Sequence, residues 1–232
     1  MRLIAWNIRQ GGGSRLPHIA DALKHHDADV AVLSEYRGGQ SAHRLCAALR
    51  GLGYRYATAL VPPPGRNGVL VATRHPFREH RAVDTGLPEP YRMVSVDFGM
   101  LRVIGVYMPN LRPKIPYWEA LLAALSQQSA ARVLAIGDFN TCRAYLDEAG
   151  ATDLTAHYLD AIEQIGFRDL WRHRYPERRE YSWFSTRSNG FRIDHAFLSP
   201  ELAVSAGAVR YTHEERVARL SDHSPLILEL AG

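Results

Sequence analysis

The chain has only two cysteines, Cys46 and Cys142, too few for a disulfide framework or a cysteine-rich zinc site. Both are expected as reduced, partly buried thiols. Lysine is equally scarce: Lys24 and Lys114 are the two among 28 Lys and Arg residues. No apolar run approaches the roughly 18 residues that cross a bilayer, so no membrane association is expected. Residues 1–7 enter a strand pattern at once, without the basic region, apolar core and cleavage site of a secretory leader. A cytoplasmic location is expected, with no protein partner implied. Fixed short repeats, low-complexity tracts and Gly/Ser linkers are all missing, which favours a single domain over residues 1–232.

What is present is ordinary for a globular chain: 46% hydrophobic and 22% charged residues, in a length that can bury a substantial core. The net charge of +4 is mildly basic. Arginine grips phosphate with a planar fork that lysine lacks, so the composition permits a nucleic-acid partner without establishing one.

One stretch organises the rest: Val133-Leu134-Ala135-Ile136-Gly137-Asp138-Phe139-Asn140. A strand-length apolar run ends at Gly137, and two polar side chains follow one residue apart. Asp138 and Asn140 then sit past the strand's carboxyl end, where open sheets present their sites. Other candidate strands end alike. Residues 2–8 carry Asn7, and residues 30–33 lead into Ser34-Glu35. A hairpin of 93–98 and 101–108, turning at Gly99, closes on Tyr107-Met108-Pro109-Asn110. Residues 192–198 contain Asp194, and Asp222-His223 precedes a strand at 225–230. Further strands are predicted at 54–60, 68–73, 78–83, 181–184 and 208–211. Helices are predicted around Leu16, Ile19 and Leu23 after a Ser14 cap, around Leu45, Leu49 and Leu52, around Trp118, Leu121, Leu122 and Leu125, and around Tyr158, Ile162 and Ile165. Strands and helices mix in both halves, which predicts an α/β fold of two mixed sheets packed face to face with helices outside.

Any one Asp or Asn at a strand end is ordinarily a turn former. Together the polar ends compose a chemistry. Glu35 and Asp222 are hard oxygen ligands suited to Mg²⁺ or Mn²⁺ and not to zinc. Asp194 can orient His223, a pairing that favours the charged ring, and His223 can stabilise charge building on a phosphoryl group. That leaves Asp138 to hold or deprotonate an attacking water and Asn140 to donate a hydrogen bond to the phosphate. Arg112 and Lys114 follow the Tyr107 strand, where a cation could meet a phosphate backbone; Arg66 and Asn67 lie in a Pro/Gly loop with the same potential. His25 and His26 are expected on a solvated helix face, and His195 is expected to be structural.

In order and spacing, Trp6-Asn7, Ser34-Glu35, Tyr107-Met108-Pro109-Asn110, Gly137-Asp138-Phe139-Asn140, Arg192-Ile193-Asp194-His195 and Ser221-Asp222-His223 resemble the endonuclease/exonuclease/phosphatase superfamily over nearly the whole chain. Residues 166–176 and the run Tyr181-Ser182-Trp183-Phe184 through Phe191 are similar to its exonuclease III and abasic-site endonuclease branch. The resemblance implies a four-layer α/β sandwich and Mg²⁺- or Mn²⁺-dependent hydrolysis of a phosphate ester. It implies DNA as partner, cleaved beside an abasic site or trimmed at a 3′ end. The alternative is a small or lipid-linked phosphate ester. By the same carry-over Glu35 and Asp222 match metal ligands, Asn7 lies near metal and phosphate, and Tyr107 faces the DNA. Asp138 and Asn140 flank the water, Asp194 and His223 form the carboxylate–histidine couple, and Asn110 and Arg112 fall on the substrate side. Trp183 and Phe191 match a pocket that a baseless sugar can enter at little unstacking cost. The chain departs from the pattern at Ser34, where the superfamily usually has glutamine, at Tyr36-Arg37, at the glycine triplet 11–13, and in short segments after Asn110 and Asn140. These departures leave the chemistry intact and bear on substrate recognition.

Overall fold

A computed structural model describes residues 1–128, 131–150 and 153–231. The first half of the chain runs β1 (Arg2–Asn7), α1 (Leu16–His26), β2 (Val30–Arg37), α2 (Gln40–Gly51), β3 (Tyr56–Thr58), β4 (Asn67–Thr73), β5 (Glu79–Ala82), β6 (Met93–Asp97), β7 (Arg102–Tyr107), α3 (Ile115–Ser126) and β8 (Val133–Asp138). There follow α4 (His157–Gln164), β9 (Arg168–Asp169), α5 (Leu170–Arg174), β10 (Trp183–Phe184), β11 (Gly190–Phe191), β12 (Asp194–Leu198), α6 (Pro200–Val204), β13 (Ala206–Tyr211), α7 (Glu214–Val217) and β14 (Leu226–Leu230).

Two six-stranded mixed sheets result, ordered β13-β14-β1-β2-β4-β3 and β5-β6-β7-β8-β12-β9, with β10 and β11 pairing as a separate ribbon. The inner strands of both sheets are buried on both faces, which is why they read as continuous apolar runs. Alternation sorts the layers. Leu3, Ala5, Val30 and Val32 of the first sheet pack between the sheets against Val94, Val103, Leu134, Ile136 and Ala196 of the second. Ile4, Trp6, Ala31 and Leu33 point the other way, onto Ile19 and Leu23 of α1 and Leu45 and Leu49 of α2. On the far side Ile104, Val133, Ala135 and Phe197 meet Trp118 and Leu121 of α3 and Leu159 and Ile162 of α4. The expected four-layer sandwich is thus the observed one. Close approach of the sheets needs Gly105, whose absent Cβ would stand 3.1 Å from Val32, Val69 and Val71.

Several local expectations are corrected. The strand predicted at 54–60 shrinks to β3, and that at 181–184 to β10. Ser14 lies in a 3-10 turn (Gly13–Arg15), and the residue capping α1 is Arg15, without a side-chain cap. The short helices α5, α6 and α7 had no apolar period to announce them; α5 starts where Asp169 accepts the Arg172 N–H. His26 is buried, bonded through Nε2 to Glu215 of α7, because α7 covers the end of α1 that the chain alone leaves open. Among the described residues no helix is long and apolar enough to cross a membrane.

Candidate active site

Parallel pairing of β1 with β2 and of β7 with β8 puts four strand ends on one edge of the sandwich. Register aligns Asn7 with Ser34, Tyr107 with Asp138, and Asp194 with Asp138. Gly137 allows the pairing of Tyr107 with Asp138: its φ is +143°, and a Cβ there would lie 2.1 Å from the carbonyl of Val106, its partner in β7. The turn carrying Asp222 and His223 is tied to β1 by Trp6 Nε1 donating to the His223 carbonyl (3.0 Å) and Ser221 Oγ donating to the Asn7 carbonyl (2.5 Å).

The two sheets meet through Asn7. Its Nδ2 donates to Asp138 Oδ2 (2.9 Å) and to Glu35 Oε1 (3.2 Å), while its Oδ1 accepts the Arg9 N–H (2.9 Å). Asn7 therefore bridges the two acids, with its oxygen already engaged. Glu35 does not simply end a strand: a bulge between Ser34 and Tyr36 gives it φ +58° and re-aims its carboxylate. That carboxylate also accepts from the Gln10 N–H (2.7 Å) and from Asn67 Nδ2 (3.2 Å). Ser34 turns between the sheets and donates to the Val106 carbonyl (3.1 Å).

Asp138, Asp194 and His223 are buried, and each offers a ligand atom within 4.8 Å of the other two. His223 Nδ1 lies 2.9 Å from Asp194 Oδ2. Burial alone would lower the His223 ring, but the charges of Asp194 and Asp138 outweigh it and raise the ring to about 10, so it is an imidazolium at neutral pH. Burial pushes the Asp138 carboxyl up, with the Asp194 charge adding and the His223 charge opposing. Asp138 Oδ1 accepts the Asn140 N–H (3.0 Å), and Asn140, at φ +47°, donates its Nδ2 to the Met108 carbonyl (2.8 Å). Tyr107 is pushed up to about 12 by burial and by the charges of Glu35 and Asp138, and the Arg92 guanidinium lies 4.6 Å from its ring centroid. Its hydroxyl stays protonated and able to donate.

These residues floor one cavity of about 800 Å³, lined by Asn7, Glu35, Tyr107, Asp138, Asn140, Asp222 and His223. Its walls include Asn110, Arg112, Trp183 and Phe191, so all the expected site residues converge, with Asp194 immediately behind His223. Trp183 and Phe191 are half-buried across the β10–β11 ribbon, ring centroids 5.6 Å apart. The indole Nε1 of Trp183 donates to Asp222 Oδ2 (3.4 Å). Lys114 differs from expectation. Its ammonium is buried, donating to the Asn140 carbonyl and to Asp153 Oδ2 (2.9 Å), so it braces the Asn140 turn. Asn67 likewise serves Glu35. Two participants carried no sequence signal: Arg92, which covers Tyr107 from a 3-10 turn, and Leu111, exposed on the rim at φ +58°.

Four carboxylates, Glu35, Asp138, Asp194 and Asp222, stand around this floor with one imidazolium. That excess of negative charge, presented on hard oxygen atoms, fits a divalent cation.

A family model described as the endonuclease/exonuclease/phosphatase family matches residues 4–223. An exodeoxyribonuclease of Bacillus subtilis (strain 168) is 27% identical over 232 residues, covering 87% of this chain and 89% of that protein. Among solved structures, the 3′ phosphatase NExo from Neisseria, bound to product DNA hairpin, superposes with a TM-score of 0.86 at 26% identity, covering 100% of both chains. An AP endonuclease from Archaeoglobus fulgidus gives 0.88 at 20% identity, again over 100% of both, a likeness of fold.

Proposed function

The chain belongs to the endonuclease/exonuclease/phosphatase family, and from that premise we propose that it is a Mg²⁺- or Mn²⁺-dependent phosphoric-ester hydrolase acting on DNA, beside abasic sites or at blocked 3′ ends. One observation carries the reading: two buried carboxyl groups and an imidazole, those of Asp138, Asp194 and His223, lie within one 4.8 Å cluster on the floor of a cavity walled by aromatics. The names of an exodeoxyribonuclease relative and of a 3′ phosphatase seen with product DNA support DNA as substrate.

Glu35 and Asp222 would hold the metal, with Asn7 keeping Glu35 and Asp138 in register. When bound, the metal offsets phosphate charge and lowers the barrier to attack. Asp138, fixed by Asn7 and the Asn140 N–H, orients the attacking water and takes its proton; its upward shift gives it basicity suited to that step near neutral pH. His223, held charged by Asp194, stabilises the phosphoryl oxygens as negative charge develops on them. Tyr107 donates from its protonated hydroxyl. Trp183 and Phe191 offer apolar faces to a sugar without its base.

The test is an activity panel of abasic duplex, 3′-phosphate-ended duplex, intact duplex and simple phosphate esters, each with Mg²⁺, with Mn²⁺ and in excess chelator. The expected result is preference for the first two, loss of activity in chelator, and binding that weakens steeply with salt. Equal turnover of simple esters and DNA would move the substrate to a small phosphate ester; full activity in chelator would refute the metal chemistry.

A further inference from the structure

The residue after His223 has polar partners of its own. Ser224 is fully buried, and its Oγ lies 2.8 Å from Nδ1 of His213 and 2.9 Å from Nε of Arg216. The other ring nitrogen of His213 lies 2.9 Å from Oε1 of Glu180. Serine, histidine and carboxylate in line have the outline of a hydrolytic triad. Burial excludes that use, since a nucleophile must reach substrate and this hydroxyl has no exposed surface. Its oxygen also accepts the Arg216 N–H, so it is a junction and not an attacking group.

The junction joins three segments. Ser224 N–H donates to the Ser182 carbonyl (2.8 Å), and Trp183 and His223 form an isolated antiparallel bridge beside it. The Arg216 guanidinium lies 4.4 Å over the ring of Phe184 in β10. One cluster thus grips the ribbon that carries Trp183, the α7 segment, and the turn that carries Asp222 and His223.

We propose that His213 and Arg216 are positioning residues for the hydrolytic reaction, clamping Ser224 so that His223 stays aligned on Asp194 and the Trp183 wall stays in register with it. The inference rests on the hydrolase reading above. Asp194 fixes one ring nitrogen of His223, yet the ring's aim also depends on its backbone. Trp6 holds the carbonyl of that residue, and the Ser224 clamp holds the next one. A catalytic side chain must stand within roughly 0.5 Å of its working place.

Two substitutions at one position separate the clamp from general stability. His213→Asn places an amide near the former Nδ1, keeping the Ser224 contact and giving up Glu180. His213→Gln reaches toward Glu180 and gives up Ser224. These are compared with Ser224→Ala and wild type by steady-state kinetics, by Tm, and by the downfield proton of the Asp194–His223 hydrogen bond in ¹H NMR of the metal-free protein. Ser224→Ala and His213→Gln should lose about tenfold to a hundredfold in kcat with KM unchanged, and their downfield resonance should shift or vanish. His213→Asn should retain most of kcat and the resonance. Equal kcat in all variants with only Tm altered would overturn the proposal, as would a resonance indifferent to every substitution. Should wild type hydrolyse no phosphate ester, the hydrolase reading fails by itself, and the NMR comparison still tests the clamp.

Discussion

Asp194→Asn probes the centre of the site with little change of shape. The asparagine oxygen can still accept the His223 Nδ1–H, while the larger of the charges that hold the ring protonated is gone. The pair lies 2.9 Å apart with side chains 2% and 6% exposed, so solvent screens it weakly. At an effective dielectric of about 20, unit charges about 4 Å apart attract by about 4 kcal/mol. A hydrogen bond to a charged group is worth about 1.5–3 kcal/mol net. The loss of transition-state stabilisation should therefore fall between about 1.5 and 4 kcal/mol, or roughly tenfold to a thousandfold in kcat. KM should hardly move, because the imidazolium acts on charge that develops during the reaction. Stability supplies an independent reading. A ring raised from its ordinary value near 6.5 to about 10 stabilises the fold fully below the first value, and this contribution is lost as pH rises through the second. The Tm deficit of metal-free Asp194→Asn should be largest below about pH 6.5, and it should close toward pH 10. Steady-state rates with saturating Mg²⁺ and thermal melts across pH measure both. Unchanged kcat, a raised KM in its place, or a deficit that grows toward alkaline pH would refute the pairing argument.

Asn67→Ala removes a donor from the Glu35 carboxylate and should weaken Mn²⁺ binding about tenfold to a hundredfold, measured by calorimetry. Asp169→Asn should cost about 3–5 kcal/mol, since it leaves the fully buried Arg192 short of a carboxylate; denaturant melts check this. Burial would raise Asp169, but the Arg192 guanidinium and His195 outweigh it and hold it well below the usual carboxylate range. Its stabilisation is therefore present above about pH 3.9 and lost as pH falls toward its folded value, so the Asp169→Asn deficit should shrink in acid. Leu111 sits at φ 58°, ψ −148°, a region almost reserved for glycine and costing about 1–3 kcal/mol. Leu111→Gly should raise Tm by a few degrees, at about 2–4 °C per kcal/mol.

What the sequence makes legible here is local and periodic. Leu3 and Ala5 face one way and Ile4 and Trp6 the other, so a sheet covered on both sides is readable from seven residues. Asp138 and Asn140 follow an apolar run, and their exit at a sheet edge needs no knowledge of partners. Which residue answers which across the fold is another matter, because that depends on register and on strand order. Asn67 reaches Glu35 only because β4 pairs with β2 at the bulge. Nothing in either segment's composition states that pairing. His26 finds Glu215 across 189 positions, and so a helix face that looks polar becomes interior.

Lys114 shows the same limit within the site. Read from the chain, a lone lysine past the Tyr107 strand is a plausible phosphate contact. Once folded, its ammonium is committed to the Asn140 carbonyl and Asp153, and an uncompensated buried cation would be far costlier than this pair. Among the residues lining the cavity, Arg112 by contrast is exposed on the rim. Arginine's planar fork suits phosphate better than an ammonium does. The chemistry is thus written in strand ends, which periodicity exposes, and substrate choice in loops whose partners only the assembled fold supplies. That division explains why Asp138, Asp194 and His223 could be singled out without coordinates while the braces of Glu35 and Asn140 could not.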